Sequence, residues 1–188
     1  MREDLERWER KYRELSTDTG LEPDPLLLKH QHLLNGAGRA CDIACGVGQN
    51  GLYLAEHGYD SFLIDGSFVA LTMAGRVATA RGLRIFRVVA DLDYFRLPVS
   101  AFDVIVVMRY LNRSISSDIC AALRPGGVLF FETFNVNFLS EKPGFPRDYL
   151  LAPGEARSLF ATLECLASND GPTLQDSLSY LVGRRRGT

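Results

Sequence analysis

Cys41-Asp42-Ile43-Ala44-Cys45-Gly46-Val47-Gly48-Gln49-Asn50-Gly51 is the stretch on which the reading of this chain turns. Its first half reads as an apolar strand over 39–44. Its second half opens a helix over 49–57, with Gly58 suited to the C-terminal cap. Between them, Gly46, Gly48 and Gly51 have the GxGxxG spacing. Glycines lack Cβ atoms and let a ligand approach the backbone, and the helix that follows begins with N–H groups free of intrahelical partners. Asp65 stands 19 residues after Gly46, at the end of a second apolar run. A carboxylate there can accept hydrogen bonds from ribose hydroxyls, so turn and acid together fit a nucleotide-binding βαβ unit. The plain alternatives are a tight turn without a ligand and an acid that only caps the next helix.

Outward from this turn, apolar runs alternate with helical periodicity. Strands are expected over 59–65, 84–90, 102–108 and 128–133. The fourth carries Val104-Ile105-Val106-Val107-Met108, continuously apolar as befits a strand covered on both faces. Ser67 can cap a helix running to Ala80, with Phe68, Leu71, Ala74 and Ala78 on one face. Another helix runs to Leu123 and is stopped by Arg124-Pro125-Gly126-Gly127. Such alternation predicts an α/β fold: a Rossmann-like, doubly wound, mostly parallel sheet with helices on both faces. Towards the C-terminus, a loop over 135–152 leads to a short helix near Pro153. Runs over 162–168 and 174–183 flank Asn169-Asp170-Gly171-Pro172, a strong turn signal. They read as an antiparallel hairpin that closes one edge and brings the sheet to seven strands. At the N-terminus, Leu5, Trp8, Tyr12 and Leu15 lie at helical spacing, residues 21–25 read as a linker, and 26–34 as a second short helix.

Composition narrows the class. The 188 residues are 46% hydrophobic and 23% charged, which suits one sizeable core. Lys plus Arg number 21 against 23 for Asp plus Glu, so the net charge of −2 argues against a chain-wide nucleic-acid footprint. No apolar run approaches the roughly 18 residues of a spanning helix, and residues 1–15 are too charged for a signal peptide. Cys41, Cys45, Cys120 and Cys165 form no CxxC pair, and His30, His32 and His57 leave little for a metal site, so none is expected. A cytoplasmic, reduced setting is expected, with the chain a monomer or homodimer and no membrane partner. The organisation expected is a single domain over 1–188: a helical cap at 1–36, a cofactor-binding core at 37–134, and a substrate loop, helix and closing hairpin at 135–188.

Four further features surround the glycine turn. Asp42 precedes it within Asp-x-Ala-Cys-Gly-x-Gly; Asp91 ends the third strand in Val-Ala-Asp-Leu; the fourth strand opens Phe-Asp-Val-Ile; and Leu-Arg-Pro-Gly-Gly precedes the fifth. The ordered set, from about Arg39 to Thr133, resembles the class I S-adenosylmethionine-dependent methyltransferases. Asp-Ile-Ala-Cys-Gly-Val-Gly-Gln-Asn, with Trp8-x-x-x-Tyr12, is similar to their small-molecule branch of tellurite-resistance and thiopurine methyltransferases.

The resemblance implies S-adenosyl-L-methionine as cofactor. Asp42, Ala44, Cys45, Gly46, Gly48 and Asn50 would serve its methionine side. Asp65 would hold the ribose, with Gly66 and Ser67 beside the adenosine. Asp91 and the Leu92 amide would read adenine, and Met108 and Arg109 would line the methionine end. It also implies that Trp8 and Tyr12 belong to a helix lying over the cofactor, although an aromatic stripe at helical spacing is also ordinary core packing. Candidates for work on the acceptor are Arg109, Tyr110, Arg113 and Tyr12, with the two arginines read as an anion clamp. The expected activity is methyl transfer by direct displacement to a small-molecule acceptor. Three alternatives stay open: an NAD(P)-dependent Rossmann oxidoreductase, a non-catalytic S-adenosylmethionine-binding module, and an RNA or protein methyltransferase. The first lacks a Tyr-x-x-x-Lys pair, since the lysines are Lys11, Lys29 and Lys142.

Overall fold

The computed structural model describes residues 2–14, 21–171 and 176–187. Expectations for Leu15 on the N-terminal stripe, and for Pro172 and Leu174 at the hairpin turn, lie outside the described residues. The chain forms two compact units, residues 1–95 and 96–188.

The first unit contains α1 (Arg2–Glu14), α2 (Pro25–Lys29), β1 (Arg39–Ile43), α3 (Gln49–Glu56), β2 (Asp60–Asp65), α4 (Phe68–Ala80) and β3 (Ile85–Val89). β1 pairs with β2 and β2 with β3, both parallel, which sets Cys41 beside Phe62 and Asp65 beside Val89. Ala40, Cys41, Ile43, Leu52, Leu54 and Leu63 form its buried centre. β1 stops one residue short of the expected end, because Ala44 has φ +54° and already belongs to the turn. The helix expected over 26–34 is broken. Asp24 caps α2 by accepting the Leu26 N–H at 2.9 Å, but His30 leaves the helical region at φ −111° and a 3-10 turn follows over 31–33. α4 buries Ala70, Leu71, Ala74 and Ala78. Phe68, expected on that face, is 67% exposed, since the stripe follows the i, i+4 row through 70, 74 and 78.

The second unit contains β4 (Phe102–Met108), α5 (Ser116–Ala122), β5 (Leu123–Phe134), α6 (Glu155–Leu159), β6 (Glu164–Asn169) and β7 (Leu178–Arg184). β4 and β5 are parallel; β7 runs antiparallel to both β5 and β6. β5 begins directly after α5 rather than at Val128. Its register jumps from Phe102↔Leu123 to Val104↔Val128, so Arg-Pro-Gly-Gly bulges out of the ladder within the strand. Gly127 is needed there, because a Cβ on it would lie 2.9 Å from the Arg124 carbonyl oxygen. The seven strands make a mostly parallel sheet, β3-β2-β1 in the first unit and β4-β5-β7-β6 in the second, with the expected antiparallel strands at the C-terminal end.

Candidate functional site

The three glycines of the turn do different jobs. Gly48 takes φ +82° at the start of α3, and its carbonyl accepts the Leu52 N–H at 2.8 Å. A Cβ on Gly48 would stand 2.5 Å from Leu63 Cδ2, and one on Gly51 would stand 2.6 Å from Leu63 Cδ1. These two glycines therefore make room for a β2 side chain. Gly46, at φ +55°, faces α1 instead: a Cβ there would lie 2.6 Å from the Tyr12 hydroxyl.

The acids divide likewise. Asp42 is 1% exposed and accepts the Gly51 N–H at 2.8 Å, tying β1 to the first turn of α3. Burial pushes its carboxyl up to about 7, against the pull of that hydrogen bond. Asn50, also buried, accepts the Asp24 N–H at 2.8 Å and so anchors the segment entering α2. Asp65 closes the turn onto the end of β2. One carboxylate oxygen accepts the Gly46 N–H at 2.7 Å and the other the Ser67 N–H at 2.8 Å. Burial raises its pKa, those bonds lower it, and the nearby Glu9 charge raises it again. The Gly66 N–H also lowers it, and the carboxylate keeps acceptor capacity for a hydroxyl donor beyond these three backbone groups.

Above this acid lies α1. The Tyr12 hydroxyl is pushed well up, first by burial and then by the charges of Asp65, Cys45 and Asp42. Cys45 is buried, and its N–H bonds the Ile64 carbonyl at 3.2 Å. A Cβ on Gly66 would meet Leu5 Cδ2 at 2.2 Å. Glu9 accepts the N–H groups of Phe68 at 2.8 Å and Val69 at 3.4 Å, the opening turn of α4. Ser67 caps the same helix by accepting the Ala70 N–H at 3.1 Å. Asp91 turns the chain beyond β3: its side chain accepts the Asp93 N–H at 3.1 Å and its carbonyl the Phe95 N–H at 2.8 Å. Leu92 is buried beside it. The structure thus brings Tyr12, Gly46, Asp65, Gly66 and Ser67 together, while Asp42, Gly48 and Asn50 shape the turn from within.

In the second unit, Met108 is buried and Arg109 follows it with φ +58°, a strained value for a residue with a side chain. The Arg109 N–H bonds the Glu132 carbonyl at 2.7 Å, its guanidinium pairs with the Glu132 carboxylate, and its charge lies 5.9 Å from the Phe134 ring centroid. The Tyr110 hydroxyl accepts from the Asn112 amide at 3.4 Å. Arg113 reaches Glu155 at 2.5 and 3.1 Å, the Asp148 carbonyl at 2.6 Å and the Leu150 carbonyl at 3.0 Å, stitching the loop over 135–152 to α6. Within that region Phe134 stacks on Phe138 at 4.2 Å, and Phe145 packs edge-on to Phe138 at 5.1 Å. A cavity of about 390 Å³ opens where β5 ends and β7 begins, with Glu132, Phe134, Glu141, Asp176 and Tyr180 in its wall.

Among the described residues, no group of three or more His, Cys, Asp or Glu is placed to hold a metal, and no helix is long and apolar enough to cross a membrane. Sequence reasoning missed Glu9. Its i+4 and i−3 relation to Leu5 and Tyr12 was a signal, but one hidden among the other acids of residues 2–14.

Comparison with known proteins agrees with this arrangement. Residues 40–127 match the family model described as a methyltransferase domain. A ubiquinone biosynthesis O-methyltransferase of Coxiella burnetii is 33% identical over 120 residues, covering 60% of this chain and 47% of that protein. The chain therefore spans about half the length of the curated relatives it matches. Among solved structures, one reported for the conversion of a disulfide bond into a thioacetal group during echinomycin biosynthesis superposes with a TM-score of 0.74 at 22% identity, covering 97% of this chain and 91% of its own. The N-methyltransferase NodS of Bradyrhizobium japonicum, solved with S-adenosyl-L-homocysteine, superposes with a TM-score of 0.68 at 20% identity, covering 96% and 97%. At these identities the two structures share the fold.

Proposed function

We propose that this chain carries a class I S-adenosylmethionine-dependent methyltransferase domain and transfers the cofactor's methyl group by direct displacement to a small-molecule acceptor, the whole of 1–188 serving one domain. The observation that carries the reading is Asp65, an acid at the carboxyl end of a parallel strand whose two oxygens already hold the Gly46 and Ser67 N–H groups. It is fixed in place with acceptor capacity to spare for a ribose hydroxyl. Gly46 and Gly66 turn bare backbone towards α1, with the Tyr12 hydroxyl and Leu5 Cδ2 lying over it, and this side-chain-free backbone fits the line of an adenosine with an amino-acid tail.

When bound, the cofactor supplies a methyl on positively charged sulfur, with a neutral thioether as leaving group. The chain's own work is to bind, orient and exclude water. Asp65 holds the sugar; Asp42 keeps the turn in shape through the Gly51 N–H; Asp91 and the Leu92 amide read the base. Orientation of this kind contributes roughly 7–11 kcal/mol towards lowering a barrier. We assign acceptor recognition to the second unit. Its cavity of about 390 Å³ suits a small molecule, and Glu132, the partner of the strained Arg109, stands in its wall. The four free cysteines suit a cytoplasmic setting.

S-adenosylhomocysteine titration tests the reading. At one hundred times its Kd, the ligand adds about 2.7 kcal/mol of stability, which raises Tm by about 5–10 °C. Asp65→Ala is expected to weaken binding at least tenfold. Folded protein that binds NADH but no S-adenosylhomocysteine overturns the proposal.

A further inference from the structure

The cavity of the second unit combines acids with aromatic rings. Its wall brings Glu132, Glu141 and Asp176 together with Phe134 and Tyr180, and among the described residues it holds no lysine, arginine or histidine. Glu132 and Phe134 lie at the carboxyl end of β5, which runs parallel to β4, and that is the end at which open sheets form their ligand crevice. The wall is held in shape. Asn135, 2% exposed, donates its amide to the Asp176 carbonyl at 2.8 Å and to the Ser179 hydroxyl at 3.0 Å, and accepts the Asn137 N–H at 2.9 Å. The chain entering β7 is thereby tied to the loop that leaves β5. Phe138 and Phe145 pack against the Phe134 ring, at 4.2 and 6.0 Å between centroids. Glu141 accepts the Ser177 hydroxyl, a neutral donor that leaves the acid its charge.

One cation of the chain already lies against this wall. The Arg109 guanidinium pairs with Glu132 and stands 5.9 Å from the Phe134 ring centroid. Carboxylate and aromatic face are thus a combination that this chain itself uses to hold positive charge. The polarity is the reverse of the anion clamp expected of Arg109 and Arg113, because each of these arginines is paired with an acid, Glu132 and Glu155.

We propose that the cavity selects a positively charged acceptor: a small molecule with a protonated amine on an aromatic or apolar body, its charge read by Glu141 and Asp176 and its body laid on Phe134 and Tyr180. The inference rests on the proposed function, because it takes this cavity as the acceptor's, and it adds the acceptor's class. An anion entering here would approach three acids inside the screening length of about 8 Å. A neutral molecule of the same shape would keep the aromatic contact and lose the charge.

The test uses the full chain, saturated with S-adenosylhomocysteine, and three probes that share a phenyl ring and a two-carbon tether: 2-phenylethylamine, 2-phenylethanol and 3-phenylpropionate. By calorimetry the amine is expected to bind about tenfold more tightly than the alcohol, and the carboxylate more weakly than either. Raising salt from about 0.05 to about 0.5 M should weaken the amine about threefold and leave the alcohol unchanged. Glu141→Gln and, independently, Asp176→Asn should each weaken the amine about three- to tenfold without moving the alcohol. Asn135 grips the backbone carbonyl of Asp176, so the second change leaves that bond in place. If S-adenosylhomocysteine binds, yet the alcohol or the carboxylate matches the amine, or no probe binds, or both variants hold the amine as wild type does, the cation preference is overturned and the proposed function stands. If S-adenosylhomocysteine itself fails to bind folded protein, the proposed function falls, and with it the claim that the cavity's ligand is an acceptor.

Discussion

Asp42 and Asp65 end neighbouring parallel strands and carry opposite assignments: the first is sealed inside, the second faces α1. The contrast has a pH signature. The Asp42 carboxyl titrates near 7 in the folded chain against an ordinary value of 3.8. A carboxyl raised on folding binds its proton more tightly in the native state. Its contribution is therefore fully present below about 4 and is lost as pH rises towards 7. The gap corresponds to at most about 4 kcal/mol. Asp42→Asn keeps an acceptor for the Gly51 N–H and removes the titration. The wild type should lose Tm relative to this variant between pH 4 and 7, and parallel Tm curves would refute the assignment. At this scale much was legible in the sequence. The GxGxxG spacing located the turn, and Asp65 fell at the strand end that was expected. The division of labour among the glycines was not legible, because it depends on Leu63 arriving from β2 to fill the niches of Gly48 and Gly51. Spacing does not encode which glycine faces a side chain and which faces outward.

Elements show where periodicity succeeds and fails. β4, buried along nearly its whole length, fell on the expected residues because a continuous apolar run of that length has few other solutions. β5 began five residues early, since Pro125 and the glycines that signal a stop are accommodated as a bulge. Arg113 illustrates a charge whose destination lies 35 to 42 residues further along the chain. Expected as part of an anion clamp, it engages Glu155 and the carbonyls of Asp148 and Leu150. The pair is partly open to solvent, its side chains 41% and 20% exposed, so its worth is discounted to about 1 kcal/mol. Arg113→Ala should lower Tm by about 2–4 °C. It should also speed amide exchange around Leu150 and leave S-adenosylhomocysteine affinity unchanged. Protection of that loop equal to wild type would show that the arginine does not hold it.

For the whole molecule, net charge bears on the small-molecule acceptor proposed above. With a net charge of −2, no long-range field gathers phosphates. At roughly 0.15 M salt, where surface charges are screened beyond about 8 Å, the chain should not shift tRNA or duplex DNA on a native gel. Retention of either at micromolar protein would move the acceptor from small molecules to nucleic acid. The strand pattern was readable at this scale because alternation of apolar runs and helices constrains topology strongly. The cover that α1 makes over Gly46 and Gly66 came only with the resemblance, because its own residues read as an amphipathic helix whatever surface they meet.

Leu63 wedges into two glycine niches at once, and this carries a consequence for how such a chain can change over generations. A larger residue at position 51 collides with Leu63, while a smaller one at 63 leaves a hole beneath the turn. Each step alone is harmful and the two together are compensating. The two positions are therefore coupled, so a substitution at either costs more alone than beside its partner.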